Sequence, residues 1–168
     1  MSAQRLETER VILLPWNPED WLEFKPIATD PRVMRYISDG TPWPDSKIIE
    51  FVERQQKNLA ELGYCLWKLV RKGKIGIGGF CGLQPLDDLP GIEIGWWLTP
   101  DLWGQGLATE AGSTVIADGF NRCELNRIVA IARRENKASM RVMEKLGMHY
   151  ERDARHHEFE VVLYAIEK

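Results

Sequence analysis

Residues 92–111, IEIGWWLTPDLWGQGLATEA, constrain the fold more than any other stretch of this 168-residue chain. An apolar strand passes through a Thr99-Pro100 turn to two closely spaced glycines, Gly104 and Gly106, and then into a helix. The first backbone N–H groups of a helix have no intrahelical partner and lie at the positive end of its dipole. Glycines ahead of them let the backbone approach a guest closely. Such a mouth can hold a pyrophosphate without any lysine. A P-loop is excluded, because no G-x-x-x-x-G-K-[ST] is present. Gly104-x-Gly106-x-x-Thr109 lacks the third glycine of the dinucleotide fingerprint. Nor does it open the first strand–helix unit of a doubly wound sheet. Local pattern alone leaves a second reading open, in which the two glycines only shape a tight turn.

The rest of the chain alternates in the same way. A first strand is expected over 10–15. A short helix follows, with Asn17 as its cap and Pro18 at its first position, and another over 31–37. Residues 38–44, SDGTPWP, form a turn-rich loop. A long helix, capped by Asp45 or Ser46, runs to Leu62 and stops at Gly63. Strands over 64–70, 75–83 and 91–98 read as an antiparallel meander. Then come a helix over 103–120, a strand over 127–132, a helix over 136–146 stopped by Gly147, and closing strands over 148–152 and 159–166. This order predicts an α/β fold, a mixed sheet with helices on its faces. No repeat or linker divides it, so one domain spanning 1–168 is expected.

Composition narrows the function. A net charge of −3 argues against a general polyanion binder, so no nucleic-acid partner is expected. Cys65, Cys81 and Cys123 are odd in number and far apart, which suggests neither a disulfide framework nor a zinc site. Free cysteines suit a reducing compartment. The polar segment 1–10 has no signal-peptide core, and no apolar run is long enough to cross a membrane. The expected location is the cytoplasm, with no membrane partner.

The run WGQGLATEA at 103–111 resembles motif A of the GNAT acetyltransferases, [Q/R]-x-x-G-x-[G/A]. Gly106 and Ala108 take its two small positions. Trp103 stands where Gln or Arg is usual, a departure shared with the branch resembling enzymes that acetylate ribosomal-protein N-termini, the Rim type. NKASMRVMEKLGM at 136–148 resembles motif B of that branch. The first strand and residues 30–36, DPRVMRY, are similar to it as well, so the resemblance covers nearly the whole chain. It implies a mostly antiparallel GNAT sheet in which a fourth and a fifth strand splay apart, here the strand around Glu93 and the strand over 127–132. It further implies acetyl-CoA as the co-substrate. The pantetheine arm would pair with the fourth strand, ending at Trp97 and Leu98. The pyrophosphate would sit on the turn formed by Trp103, Gly104, Gln105, Gly106, Leu107, Ala108 and Thr109.

Acetyl transfer to an amine needs a neutral nucleophile, donors for the oxyanion and a proton for the departing thiolate. A lysine has a reference pKa of about 10.4 and an α-amine about 8, so an α-amine needs only a weak base. Glu93 is the candidate base and amine-binding group. It lies mid-strand between Ile92 and Ile94, and alternation places it on one face with Gly95 and Trp97. A solvated or structural role is the competing reading. Many GNAT enzymes carry a tyrosine before E-K-x-G as the acid; here that position is Met143. In the Rim branch the motif-B serine is the implied substitute, here Ser139, which as an ordinary helix residue would bond its own backbone. Asn136 is both a plain N-cap candidate and the implied partner of the pantetheine arm. Trp43, between two prolines, is a candidate lid for the acceptor pocket. Arg133 and Arg134 read as a solvated pair or as phosphate contacts. His149, His156 and His157 have no metal partner at helical spacing and read as solvated, so no metal is expected.

The expected activity is N-acetylation of a primary amine by direct attack in a ternary complex, with a peptide N-terminal α-amine as the first candidate acceptor. A small-molecule amine, a non-catalytic acyl-CoA sensor and a nucleotide-binding protein are the alternatives. A monomer or homodimer fits this size.

Overall fold

The computed structural model describes residues 4–168. The first three residues of the polar segment 1–10 lie outside it. Among the described residues eight strands form one sheet in the order β1-β2-β3-β4-β5-β6-β8-β7. They are β1 (Leu6–Glu7), β2 (Val11–Leu14), β3 (Leu66–Arg71), β4 (Gly79–Pro85), β5 (Ile92–Leu98), β6 (Arg127–Ala132), β7 (His149–His156) and β8 (Phe159–Glu167). Helices α1 (Asp20–Ala28), α2 (Pro31–Met34) and α3 (Asp45–Leu62) separate β2 from β3. α4 (Leu107–Asn121) and α5 (Lys137–Lys145) flank β6. Because β1 pairs ahead of the first predicted strand, the expected fourth and fifth strands are β5 and β6.

All neighbouring strands are antiparallel except β5 and β6. That pair is parallel and shares one register pair, Glu93↔Val129. Beyond it β5 stays paired with β4 through Leu98, and β6 stays paired with β8 through Ala132. The two strands therefore diverge from Glu93 toward their C-terminal ends.

Strand alternation sorts the core into two faces. On one, Ile94 and Leu98 of β5 join Trp67, Leu83 and Ile128 beneath Leu107, Ala111 and Val115 of α4 and Met143 of α5. On the other, Leu66 and Phe80 pack with Phe24, Ile48, Phe51 and Val52 of α1 and α3, and Trp97 borders them. α4 lies close on the sheet at Gly119, where an added Cβ would meet Leu83 at 2.9 Å. α1 is pinned by the nearly buried pair Asp20–Lys68 at 2.6 Å. α3 is pinned by Gln55, whose Oε1 accepts the Leu66 N–H at 2.9 Å.

Several boundaries move. The glycine-rich strand starts at Gly79, not at Ile75, which is fully exposed. Asn17 does not cap α1. Its N–H donates instead to Asp20 Oδ2, and the helix begins at Asp20. Pro44 holds the N-cap of α3, with no side-chain cap, in place of Asp45 or Ser46. α2 ends at Met34 rather than Ile37. The helix expected from Trp103 starts at Leu107, after a 3-10 turn over Pro100–Leu102. Gly63 ends α3 in the left-handed conformation, as its position predicts. Among the described residues no helix is long and apolar enough to cross a membrane.

Candidate active site

A cavity of about 490 Å³ opens where β5 and β6 part. Glu93, Gly95 and Trp97 line it from the β5 face shared with α1 and α3, while Asn136 and Ser139 line it from α5. Glu93 stands at the apex of the divergence. Gln84, opposite it on β4, hydrogen-bonds its carboxylate. Burial pushes the Glu93 carboxyl up to about 7, further raised by the nearby Asp87 and Asp88 charges and opposed by the Gln84 bond. Gly95 leaves room beside it: a Cβ there would come within 3.6 Å of Glu93 Oε1. The carboxylate thus has a bare strip of strand between it and the Trp97 ring.

At the far end of β5 the chain turns through Gly104 and Gly106, both left-handed, with φ of 72° and 77°. Gly106 is the N-cap of α4. The first i→i−4 bond of the helix runs from Glu110 N–H to Gly106 O at 3.0 Å. The amides of Leu107, Ala108 and Thr109 therefore point out of the helix mouth without helical partners. Trp103 Nε1 donates to Leu98 O at 2.8 Å, folding the turn back on the strand end, while half of the ring stays exposed. Gln105 Nε2 donates to Asp101 O at 3.0 Å. Leu98 and residues 103–109 lie outside the cavity lining, along the continuation of the gap. The mouth is made of peptide groups, which suit a pyrophosphate.

Sequence reasoning missed what holds this turn. Arg10 Nε contacts Glu110 Oε1 at 2.8 Å, and Arg10 Nη1 donates to Gln105 O at 2.9 Å. Glu110 Oε2 also accepts from Thr8 Oγ1 at 2.6 Å and from the Arg10 N–H at 3.0 Å. Burial raises the Glu110 carboxyl, but these bonds outweigh it and hold it below the usual range. The β1–β2 turn thereby fixes the glycine turn and sets a guanidinium beside it. Residues 8–10 and 110 are far apart in sequence, so no local pattern announces the pairing.

On α5, Asn136 is the N-cap, and its Oδ1 accepts the Ser139 N–H at 3.3 Å. Asn136 lines the cavity, and that use leaves its Nδ2 amide free to donate. Among the described residues Ser139 Oγ has no hydrogen-bond partner, so the back-bonding alternative is not what the side chain does. Met143 is buried and does not line the cavity.

The wall toward α1 and α3 is aromatic. Trp43 lines it with Trp97, Phe80 and Phe51. Ring centroids lie 4.9 Å apart for Trp43–Trp97 and 5.0 Å for Phe80–Trp97. Tyr36, Lys47 and Arg54 also reach this wall, and none was singled out in the sequence. Lys47, Phe51 and Arg54 stand at i, i+4 and i+7 of α3, one helix face. That spacing was the available signal, but only the fold shows which way the face points.

Two expectations are corrected. Arg133 is not half of a solvated pair. It lines the cavity, stacks over Phe159 at 4.2 Å and donates to Ser38 O, while Arg134 pairs with Asp153 at 2.5 Å. His156 and His157 are not free in solvent either. His156 Nδ1 lies 2.6 Å from Asp88 Oδ1, and His157 donates its N–H to Asp88 Oδ2 at 2.8 Å and meets Asp87 Oδ1 at 3.0 Å. Burial raises the Asp88 carboxyl, but these contacts together outweigh it and hold it at about 2. The four side chains form a clasp between the β4–β5 loop and the β7–β8 turn, with ligand atoms within 4.8 Å of one another. His149 stays exposed on β7.

The family described as acetyltransferase (GNAT) domain matches residues 10–149. The Bacillus subtilis protein YkkB is 33% identical, covering 92% of this chain and 91% of that protein. A GNAT-family acetyltransferase from Bacillus anthracis superposes with a TM-score of 0.81 at 27% identity over 98% of both chains. A ribosomal-protein α-N-acetyltransferase crystallised with coenzyme A shares the fold, with a TM-score of 0.83 at 14% identity over 98% of both chains.

Proposed function

The chain belongs to the GNAT acetyltransferase family, and from that premise we propose that it moves the acetyl group of acetyl-CoA to an α-amine by direct attack in a ternary complex. The observation that carries this reading is Glu93 at the apex of the β5–β6 divergence, its carboxyl raised to about 7, in one cavity with Ser139. The amides of residues 104–109, with the Arg10 guanidinium beside them, hold the pyrophosphate. The free edge of β5 and Asn136 Nδ2 hold the pantetheine amides and supply the donors around the reacting carbonyl. The fold neighbour crystallised with coenzyme A supports this assignment.

Glu93 takes the proton from the acceptor ammonium, directly or through one water. A base near 7 matches an α-amine of about 8 far better than a lysine of about 10.4. The freed nitrogen attacks the thioester carbonyl and gives up its second proton to solvent as the carbon–sulfur bond breaks, and Ser139 Oγ–H donates to the departing sulfur, regaining its proton from solvent. The products are an N-acetyl amide and the coenzyme A thiol. Trp103 and Ser139 in their motif positions support the Rim-type branch.

The test is release of free coenzyme A thiol from acetyl-CoA against separate pools of N-terminal peptides, lysine peptides and small amines. Release with an α-amine pool and none with lysine peptides is expected. Met143 in the usual acid position favours one other reading, an acyl-CoA sensor. Saturable acetyl-CoA binding with no thiol release from any pool would select it.

A further inference from the structure

The cavity wall carries charges of both signs. Glu93 lines it from β5, and Lys47 and Arg54 from α3 line it with Arg133, which follows β6. Among the described residues none of these three cations forms an ion pair. Lys47 rests over the Trp43 ring at 4.8 Å. The nearby Asp39 carboxylate is committed to the Thr41 N–H at 3.0 Å and its hydroxyl at 2.6 Å.

Arg133 is held at the wall by Ser38 O and by the Phe159 ring. The flat surfaces of Trp43, Phe51, Phe80 and Trp97 line the same cavity.

The Arg133–Ser38 contact ties the α2–α3 loop to β6, and Asp88 ties the β4–β5 loop to the β7–β8 turn. A volume of about 490 Å³ is that of a small-ligand site.

We propose that the acceptor is a small amphoteric amine: a primary amine set against Glu93, a flat apolar body against the aromatic wall, and a carboxylate or phosphate against Lys47, Arg54 and Arg133. This rests on the acetyltransferase reading and narrows its acceptor. A guanidinium forks onto either anion, and the aromatic wall covers the body.

Three probes with one shared amine test it: glycyl anilides bearing a para-carboxylate, a para-phosphonate or a para-carboxamide. Binding is followed by quenching of tryptophan fluorescence in the presence of coenzyme A, and turnover by thiol release. At least one anionic probe should bind and react at least about tenfold better than the carboxamide, the scale of a charged hydrogen bond. The better of the two anions identifies the terminal group. In the double variant Lys47→Gln/Arg54→Gln that ratio should collapse toward one, and circular dichroism checks that the variant is folded. Equal use of the carboxamide and both anionic probes would overturn the proposal and leave acetyl transfer standing. So would a neutral N-terminal pentapeptide outcompeting all three. Loss of acetyl-CoA binding in calorimetry would be a failure of the acetyltransferase reading instead.

Discussion

Glu93→Gln separates the energetic cost of the site from its chemistry. The carboxyl is raised from 4.5 to about 7. At about 1.4 kcal/mol per pH unit, that difference amounts to about 3 kcal/mol, an upper figure because cavity water relieves part of it. The sign follows from proton linkage. Below 4.5 folded and unfolded chains both carry the proton, and the residue contributes no penalty. Between 4.5 and 7 the unfolded chain gives it up while the folded chain keeps it. Stability therefore falls as pH rises through this window, and the full loss is present above 7. Glutamine keeps the shape and the Gln84 contact but has no charge to desolvate. Urea titrations from pH 4.5 to 8.5 should show the variant matching wild type at the acid end and exceeding it by about 2–3 kcal/mol at the alkaline end. Turnover should move the other way. Wild-type kcat should rise through an inflection near 7. The variant should lose that inflection and about a hundredfold in rate, the low end of what a general base supplies. A stability difference that does not change with pH would refute the burial argument. An unchanged inflection near 7 in the variant would refute Glu93 as the base.

Gly106→Glu places a side chain at a left-handed N-cap and a carboxylate among the outward amides; calorimetry should show acetyl-CoA affinity reduced at least about hundredfold. Ser139→Ala should lower kcat about a hundredfold and leave the KM for acetyl-CoA within about twofold; an unchanged kcat removes the proton-donor role. Arg10→Ala should raise the KM for acetyl-CoA about tenfold, because the guanidinium both holds the Gln105 carbonyl and adds charge beside the mouth. It should also lower Tm by a few degrees through loss of the Glu110 contact.

What could be read from the sequence was what lies close along the chain. The strand–turn–helix order of β5 and α4, the α3 stop at Gly63 and the Asn136 cap each depend on residues within a few positions, and each is present, although α4 begins at Leu107 rather than at the expected Trp103. Alternation also placed Glu93, Gly95 and Trp97 on one face correctly, because Ile94 and Leu98 fill the opposite core. Long-range partnerships were hidden. Gln84 faces Glu93 only through the β4–β5 register. Asp88 meets His156 across 68 residues, and Arg10 meets Glu110 across 100. α1 was misplaced because Asn17-Pro18 is a strong local start signal, and tertiary anchoring of Asp20 to Lys68 overrides it. The three cations around the cavity were passed over because singly each resembles any surface lysine or arginine.

The single register pair between β5 and β6 also makes this an unfinished sheet. Two half-sheets, β1 to β5 and β6 with β8 and β7, share one register pair, with the α4 core beneath and the Ser38–Arg133 and Asp88–His156 contacts joining their loops. A guest whose amides bridge the open edges acts as a missing strand, so it stitches the halves and is itself part of the fold. At a hundredfold excess over its Kd such a guest adds about 2.7 kcal/mol to stability. Slowed amide exchange should concentrate on residues 94–98 and 130–132, the two edges it closes.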